Sequence, residues 1–490
     1  VNDPHQKLLE LAAFKTADIE RILPKWKRTA RALSVTDDDV RFAIDEWLPK
    51  QWDLHFFGVR KMLGVLLGEM ISIYHAHRNK SKAETLIFTV LPFPAAIPLA
   101  MKMAAPNRVT ITAPDILLST VLGAAFHKQL PLLEKTENQG LTPTGCRNCA
   151  LNKTRTTVQL KNILPPPDIT WVAGLLCDEG PKTEEFIHCL GQTFGHSIIC
   201  RLPHDLHADA GEDQLAERGA YLSQQIEHNL RQLKKLTGIK IRKAHLANAS
   251  TRWCRYAYKY ALLASITANS DPPPVSGFET TLFSLPLVMP FNGGLDAVED
   301  ALDSFIVEAQ QRRQLGRGVV TKGTPRLMVY QMPFALPWLY RLFEQGGAAL
   351  IGSLTTMMGR IGSAPLRIDD PLRLICDGWV RNPSICGTAH EVEAICHLMQ
   401  HYRPDGLVMG LFDFDRWLGT HQRLVANTVQ ERIDRPVYYL EGDLWDKREY
   451  DRENLRTRVE TICQMANTWK QMGTPCCNDK ANLAEDKQYD

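Results

Sequence analysis

The sequence lacks a long uninterrupted apolar run. Its longest apolar stretch, from Leu86 to Met101, is broken by Pro92, Pro94 and Pro98, and a membrane-crossing helix needs about 20 residues. No membrane role is expected, and the stretch reads as a buried strand followed by an irregular loop. An excess of charge of either sign is also missing. The 57 Lys and Arg face 55 Asp and Glu, for a net charge of +2, so no basic face is offered to a nucleic acid. Cysteine is sparse, with 12 in 490 residues, which is too dilute for a small disulfide-stapled scaffold. The thiols are read as reduced, metal-ligating or both. The opening Val1-Asn-Asp-Pro-His has neither a basic nor an apolar leader pattern, and a cytoplasmic protein is expected. No short repeat and no Gly-x-x-x-x-Gly-Lys-[Ser/Thr] phosphate loop occurs.

What is present is ordinary globular composition, 44% hydrophobic and 23% charged, in a chain long enough for two to four domains. Residues 1–85 read as helical, with apolar stripes at Leu8, Leu9, Leu11 and Ala12 and again from Val59 to Leu67. From residue 86 short apolar runs alternate with helical stretches. Leu86-Ile-Phe-Thr-Val-Leu, Val109-Thr-Ile-Thr, Ile169 to Leu176 and Ser197 to Leu202 are expected strands of a parallel sheet. A long amphipathic helix over 213–238 follows, with Gly238 as its C-cap. A second series opens at Arg326, with strands at 326–330, 348–352, 406–411 and 436–440 and helices at 337–345 and 420–432. The expected fold class is α/β, two doubly wound (Rossmann or flavodoxin-like) domains around a central cleft, with an N-terminal helical extension. The expected division is 1–85, 86–285, 286–473, and a flexible polar tail over 474–490.

Cys146-Arg-Asn-Cys149 lies in a Gly/Pro/Thr-rich loop. By itself it fits half a zinc site, a redox pair or two unrelated thiols. Cys177 ends the expected strand from Trp171, where open α/β sheets place ligands. Thiolates there and in the 146–149 loop suit a soft metal or an iron–sulfur cluster. Cys189, Cys200, Cys254, Cys396 and Cys463 fall among apolar residues and are expected in the core. Cys376 and Cys386 fall in segments read as loops.

The C-terminal half carries a family resemblance. Arg403-Pro-Asp-Gly-Leu-Val-Met-Gly is followed by Arg435-Pro-Val-Tyr-Tyr-Leu-Glu-Gly-Asp-Leu-Trp-Asp-Lys-Arg-Glu-Tyr and then Leu455-Arg-Thr-Arg-Val-Glu-Thr. Upstream stand Arg326-Leu-Met-Val-Tyr and Glu344-Gln-Gly-Gly-Ala. This succession resembles the (R)-2-hydroxyacyl-CoA dehydratase and class I benzoyl-CoA reductase family, over roughly residues 140–470 and most specifically over 400–465.

The resemblance implies a [4Fe–4S] cluster held in a cleft by three cysteines, with one iron left open. Cys149, followed four residues later by Lys153 and then Arg155, is similar to the first ligand segment. Cys177 is similar to the second. Where the third cysteine is expected, after the Gly406 strand, this chain has Leu411-Phe-Asp-Phe-Asp, with Asp415 at the position. Three arrangements satisfy this departure. Asp415 (or Asp413) is a carboxylate ligand, Cys146 is the third thiolate, or the chain is a cluster-free structural or electron-relay partner. Lys153 and Arg155 are expected near the cluster's negative charge. His204 (with Asp205 and His207) and Glu441 (with Asp443) are the acid–base candidates, and Arg456 and Arg458 are set against CoA phosphates or a solvated helix face.

The implied chemistry is dehydration of a 2-hydroxyacyl-CoA through a ketyl radical, or reduction of a benzoyl-CoA-type ring. Implied partners are an acyl-CoA substrate, a homologous second subunit and an ATP-hydrolysing iron–sulfur activator.

Overall fold

The computed structural model describes residues 3–76, 84–90, 93–139, 148–174, 179–190, 195–202, 211–330, 336–353, 369–381, 388–411, 416–441, 446 and 452–472. Strands β1 (Thr85–Val90), β2 (Val109–Thr112), β3 (Ile169–Gly174) and β4 (His196–Arg201) form a parallel sheet in the order β2-β1-β3-β4. Strands β5 (Arg326–Val329), β6 (Ala349–Ser353), β7 (Gly406–Leu411) and β8 (Val437–Glu441) form a second parallel sheet in the order β6-β5-β7-β8. The two halves therefore share one strand order. In each, the order reverses beside the first strand, between β1 and β3 and between β5 and β7. Open α/β sheets as a class take ligands outside the C-terminal strand ends at such a reversal.

The sheets are set by the same local device. Asp168 directly precedes β3, and its carboxylate accepts the Leu86 N–H at 2.8 Å while its own N–H donates to the Leu86 carbonyl at 2.9 Å. Asp405 directly precedes β7, and its carboxylate accepts the Arg326 N–H at 2.8 Å while its N–H donates to the Arg326 carbonyl at 2.7 Å. Each aspartate satisfies the start of the central strand and pins its register, since a one-residue slip would turn the buried face outward. At Gly406 a Cβ would meet the Tyr438 ring at 2.8 Å. The Asp405-Gly406 pair of the family-like motif is thus a structural device at the N-terminal edge of the sheet.

Apolar continuity explains the burial. Leu86, Ile87, Phe88, Ile169, Trp171 and Val172 are all buried, as parallel strands covered on both faces must be. The helices between residues 4 and 75 share this core; Leu8, Val59, Met62 and Leu66 belong to the same buried cluster as Phe88, Leu263 and Leu350. The Phe57–His75 helix packs on the Asp296–Gln314 helix. The Glu308 carboxylate caps it, accepting the Phe57 and Gly58 N–H groups at 2.8 and 2.9 Å. The Lys243–Ala268 helix touches the Ala96–Ala104 helix beside the first sheet and β6 of the second.

Expected elements recur with small shifts. The Glu212–Thr237 helix ends at Gly238 with φ 70°, the left-handed C-cap the sequence indicated. The Pro337–Gln345 helix and the Gly406–Leu411 strand have the expected bounds. Two expectations are corrected. Residues 96–104 form a helix, not an irregular loop, because Pro98 falls in the first turn, where no intrahelical N–H bond is needed. Cys376 lies on the Pro371–Val380 helix and is buried. Among the described residues, no helix is long and apolar enough to cross a membrane.

Candidate functional site

Among the described residues, a buried polar assembly lies on and around the Ala150–Leu160 helix, which packs on the Pro114–Leu118, Leu130–Glu137 and Glu179–Leu190 helices. Cys149 is its N-cap, in extended conformation (φ −65°, ψ 157°), without a side-chain cap bond. The thiol is half-buried. A helix N-terminus concentrates unpaired N–H groups and favours an anion there. Residues 150–159 are buried all round, so the charges on this helix must be matched internally.

They are matched. Lys153 Nζ lies 2.9 Å from Glu137 Oε1. Arg155, fully buried, donates from Nη1 to Asp115 Oδ2 at 3.4 Å and from Nη2 to the Gly180 carbonyl at 2.9 Å. Its Nε lies 3.9 Å from Glu184 Oε2 and has no hydrogen-bond partner among the described residues. Burial pushes the Asp115 carboxyl above its ordinary value, and Arg155 and the Ile116 N–H pull it back. Lys153 and Arg155 thus hold carboxylates and a carbonyl of the protein itself.

The Glu179–Leu190 helix begins two residues after Cys177 and packs against the Ala150–Leu160 helix. Glu179 Oε2 accepts from the Cys149 N–H at 3.4 Å and from Asn152 Nδ2 at 3.5 Å. Asn148 Nδ2 donates to Thr183 Oγ1 at 3.0 Å, and Gln159 Nε2 to Glu184 Oε2 at 3.5 Å. The entrance of one helix is therefore tied to the first two turns of the other. Asp115, Glu179, Thr183 and Glu184 were not singled out from sequence. Their only signal was position, since Asp115 follows β2 and Glu179 follows Cys177.

Cys146, Cys177, His204, Asp413 and Asp415 lie outside the described residues. The backbone of Glu441 ends β8 in register with Leu411, the last residue of β7, four residues before Asp415; its side chain lies outside the description. Arg456 and Arg458 are exposed on a solvated helix face. Among the described residues, no three His, Cys, Asp or Glu side chains gather to hold a metal ion. Cys200, Cys396 and Cys463 are buried as expected, whereas Cys189 and Cys254 are exposed, each on an outward turn of its helix. Burial pushes the Cys200 and Cys463 thiols up to about 12, which suits inert packing groups rather than ligands.

Two parallel sheets of identical order, with a cysteine-capped helix packed among the helices of the first half, define an α/β protein. The chain belongs to the 2-hydroxyglutaryl-CoA dehydratase D-component family, whose family model matches residues 92–466. Over 212 residues it is 26% identical to a benzoyl-CoA reductase subunit of Thauera aromatica, covering 41% of this chain and 49% of that relative. The chain thus spans about half the length of this curated relative.

Proposed function

We propose that this chain is a subunit of an iron–sulfur acyl-CoA dehydratase or reductase, acting on a 2-hydroxyacyl-CoA or on a benzoyl-CoA-type ring. The family match over residues 92–466 carries the reading. The chain is organised as helices over 1–85, α/β units over 86–285 and 286–473 around a cleft, and a tail over 474–490. It works in the cytoplasm with a homologous second subunit and a separate ATP-hydrolysing iron–sulfur activator.

Cys149 and Cys177, with Asp415 or Cys146, would hold a [4Fe–4S] cluster. Cys149 fits that role in being a half-buried thiol at a helix entrance. When bound, the cluster would supply a low-potential electron to the thioester. The protein's part is to hold the acyl group in place, exclude water and present donors to developing negative charge. His204 and Glu441 are the candidates for moving the proton.

The substitution of aspartate at 415 supports a second reading, a cluster-free partner or relay subunit of such a complex. Anaerobic purification with iron, sulfide and zinc quantified, and an EPR spectrum after reduction, separates them. Iron with equimolar sulfide is expected. Neither in protected material supports the partner subunit, and zinc without sulfide points to a structural zinc site. Cys149→Ala and Cys177→Ala should abolish the cluster while Cys463→Ala leaves it intact; equal iron in all three would overturn the ligand choice.

A further inference from the structure

The Glu179–Leu190 helix makes a series of polar contacts to one place, the entrance of the Ala150–Leu160 helix. Glu179 takes the Cys149 N–H and the Asn152 amide. Thr183 takes the amide of Asn148, the residue before Cys149. Arg155, six residues into the same helix, takes the Gly180 carbonyl. The Arg155 guanidinium is further fixed between Asp115 and Glu184, all three almost wholly buried. Ordinary helix packing needs only apolar contact. Here directed bonds are added, one to the Cys149 N–H and the others through the side chains of Asn148, Asn152 and Arg155 around it.

We propose that Glu179 and Arg155 are positioning residues that preorganise Cys149 as a ligand, Glu179 by holding its amide and Arg155 by locking the two helices together. Neither is a free cation or anion offered to a bound group. The planar guanidinium reaches Asp115 through Nη1 and the Gly180 carbonyl through Nη2 in one fixed fork, a geometry that a lysine ammonium does not reproduce. The proposal rests on Cys149 being a ligand, as proposed above.

The test uses the full chain, purified anaerobically. Glu179→Ala removes the acceptor for Cys149. Glu179→Gln keeps one acceptor oxygen and is the conservative rescue. Glu185→Gln is the control, since Glu185 lies on the same helix but is exposed and paired with Arg201. Two readouts are taken beside the melting temperature: chelator-driven loss of iron, and amide hydrogen exchange of the 148–153 segment. In Glu179→Ala, iron loss should quicken about 10–100-fold, as for removal of a group that orients a ligand. Exchange at the Cys149 amide should rise about tenfold. Glu179→Gln should recover part of both, and Glu185→Gln should match the wild type.

Unchanged iron loss and exchange in Glu179→Ala would overturn the proposal. So would a loss of iron that only tracks a lowered melting temperature and is not rescued by Glu179→Gln. Wild-type protein without iron and sulfide would sink the cluster reading instead. Exchange alone would then decide: a faster Cys149 amide in Glu179→Ala keeps the positioning role, and an unchanged one removes it.

Discussion

Glu69 offers a test in which a mutation should remove a pH dependence of stability. The residue lies on the Phe57–His75 helix and is almost fully buried. Its carboxylate accepts the N–H groups of Asn292 and Gly293 at 2.6 and 2.7 Å. Lys102 is the cation facing it, and that ammonium donates to the Val109 carbonyl and Asn292 Oδ1 at 2.7 and 2.9 Å rather than to Glu69. Burial outweighs the two N–H bonds and Lys102, and it raises the carboxyl from 4.5 to about 7. The sign follows. Between pH 4.5 and 7 the folded chain holds a proton that the unfolded chain has released, so this contribution to stability is full below 4.5, falls as pH rises, and is gone above 7. The loss amounts to about 3 kcal/mol.

Glu69→Gln removes the titration. A neutral glutamine has one acceptor oxygen for the two N–H groups, whereas a protonated carboxyl can still accept on both, so the variant should be the less stable near pH 5. Between pH 5 and pH 8 the variant should gain about 3 kcal/mol on the wild type. Urea unfolding followed by tryptophan fluorescence from pH 5 to pH 8 reads the difference. Parallel pH profiles for wild type and variant would refute the raised pKa and with it the argument that burial outweighs the two N–H bonds.

Other outcomes follow from close packing and paired charge. Gly58→Ala should destabilise by about 1–3 kcal/mol or more, because its Cβ would fall 2.5 Å from the Phe305 backbone nitrogen and 2.7 Å from the Ala301 carbonyl; Gly68→Ala, with nothing within 4 Å, should be neutral or stabilising by up to about 1 kcal/mol, and thermal melts compare them. Arg155→Met should cost about 3–5 kcal/mol by leaving Asp115 and Glu184 as unpaired buried groups, and adding Asp115→Asn should recover part of it in the same melts. Alkylation of folded apo-protein at pH 8, mapped by mass spectrometry, should label exposed Cys254 and Cys189 and spare Cys200 and Cys463; early labelling of the buried pair would contradict their burial.

Much of the fold was legible from local pattern. Continuous β-branched and apolar runs identified the strands, since a strand buried on both faces has no polar alternation to show. Gly238 and Pro337 marked helix ends because their backbone restrictions act whatever the surroundings. The Ala96–Ala104 helix was read as a loop because Pro98 breaks a helix everywhere but in its first turn, and the sequence did not show where that turn began. Exposure of Cys189 and Cys254 was missed for a related reason. A helix buries one side only, and which side depends on what packs against it.

The site divides in the same way. Cys149 stood out through its loop composition and its family-like surroundings, and its place at a helix entrance follows from local chain geometry. The sequence alone determined the alternation of strands and helices, the family resemblance and the thiols worth testing, because these depend on neighbours along the chain. Tertiary structure decided how Lys153 and Arg155 are used. In sequence they are two cations after a cysteine; in the fold each is spent on carboxylates that arrive from distant segments, Glu137, Asp115 and Glu184. It likewise decided that Asp168 and Asp405, far apart in sequence, play one role in two sheets. Pairing partners of buried charge are fixed by packing across the chain, and no local pattern encodes them.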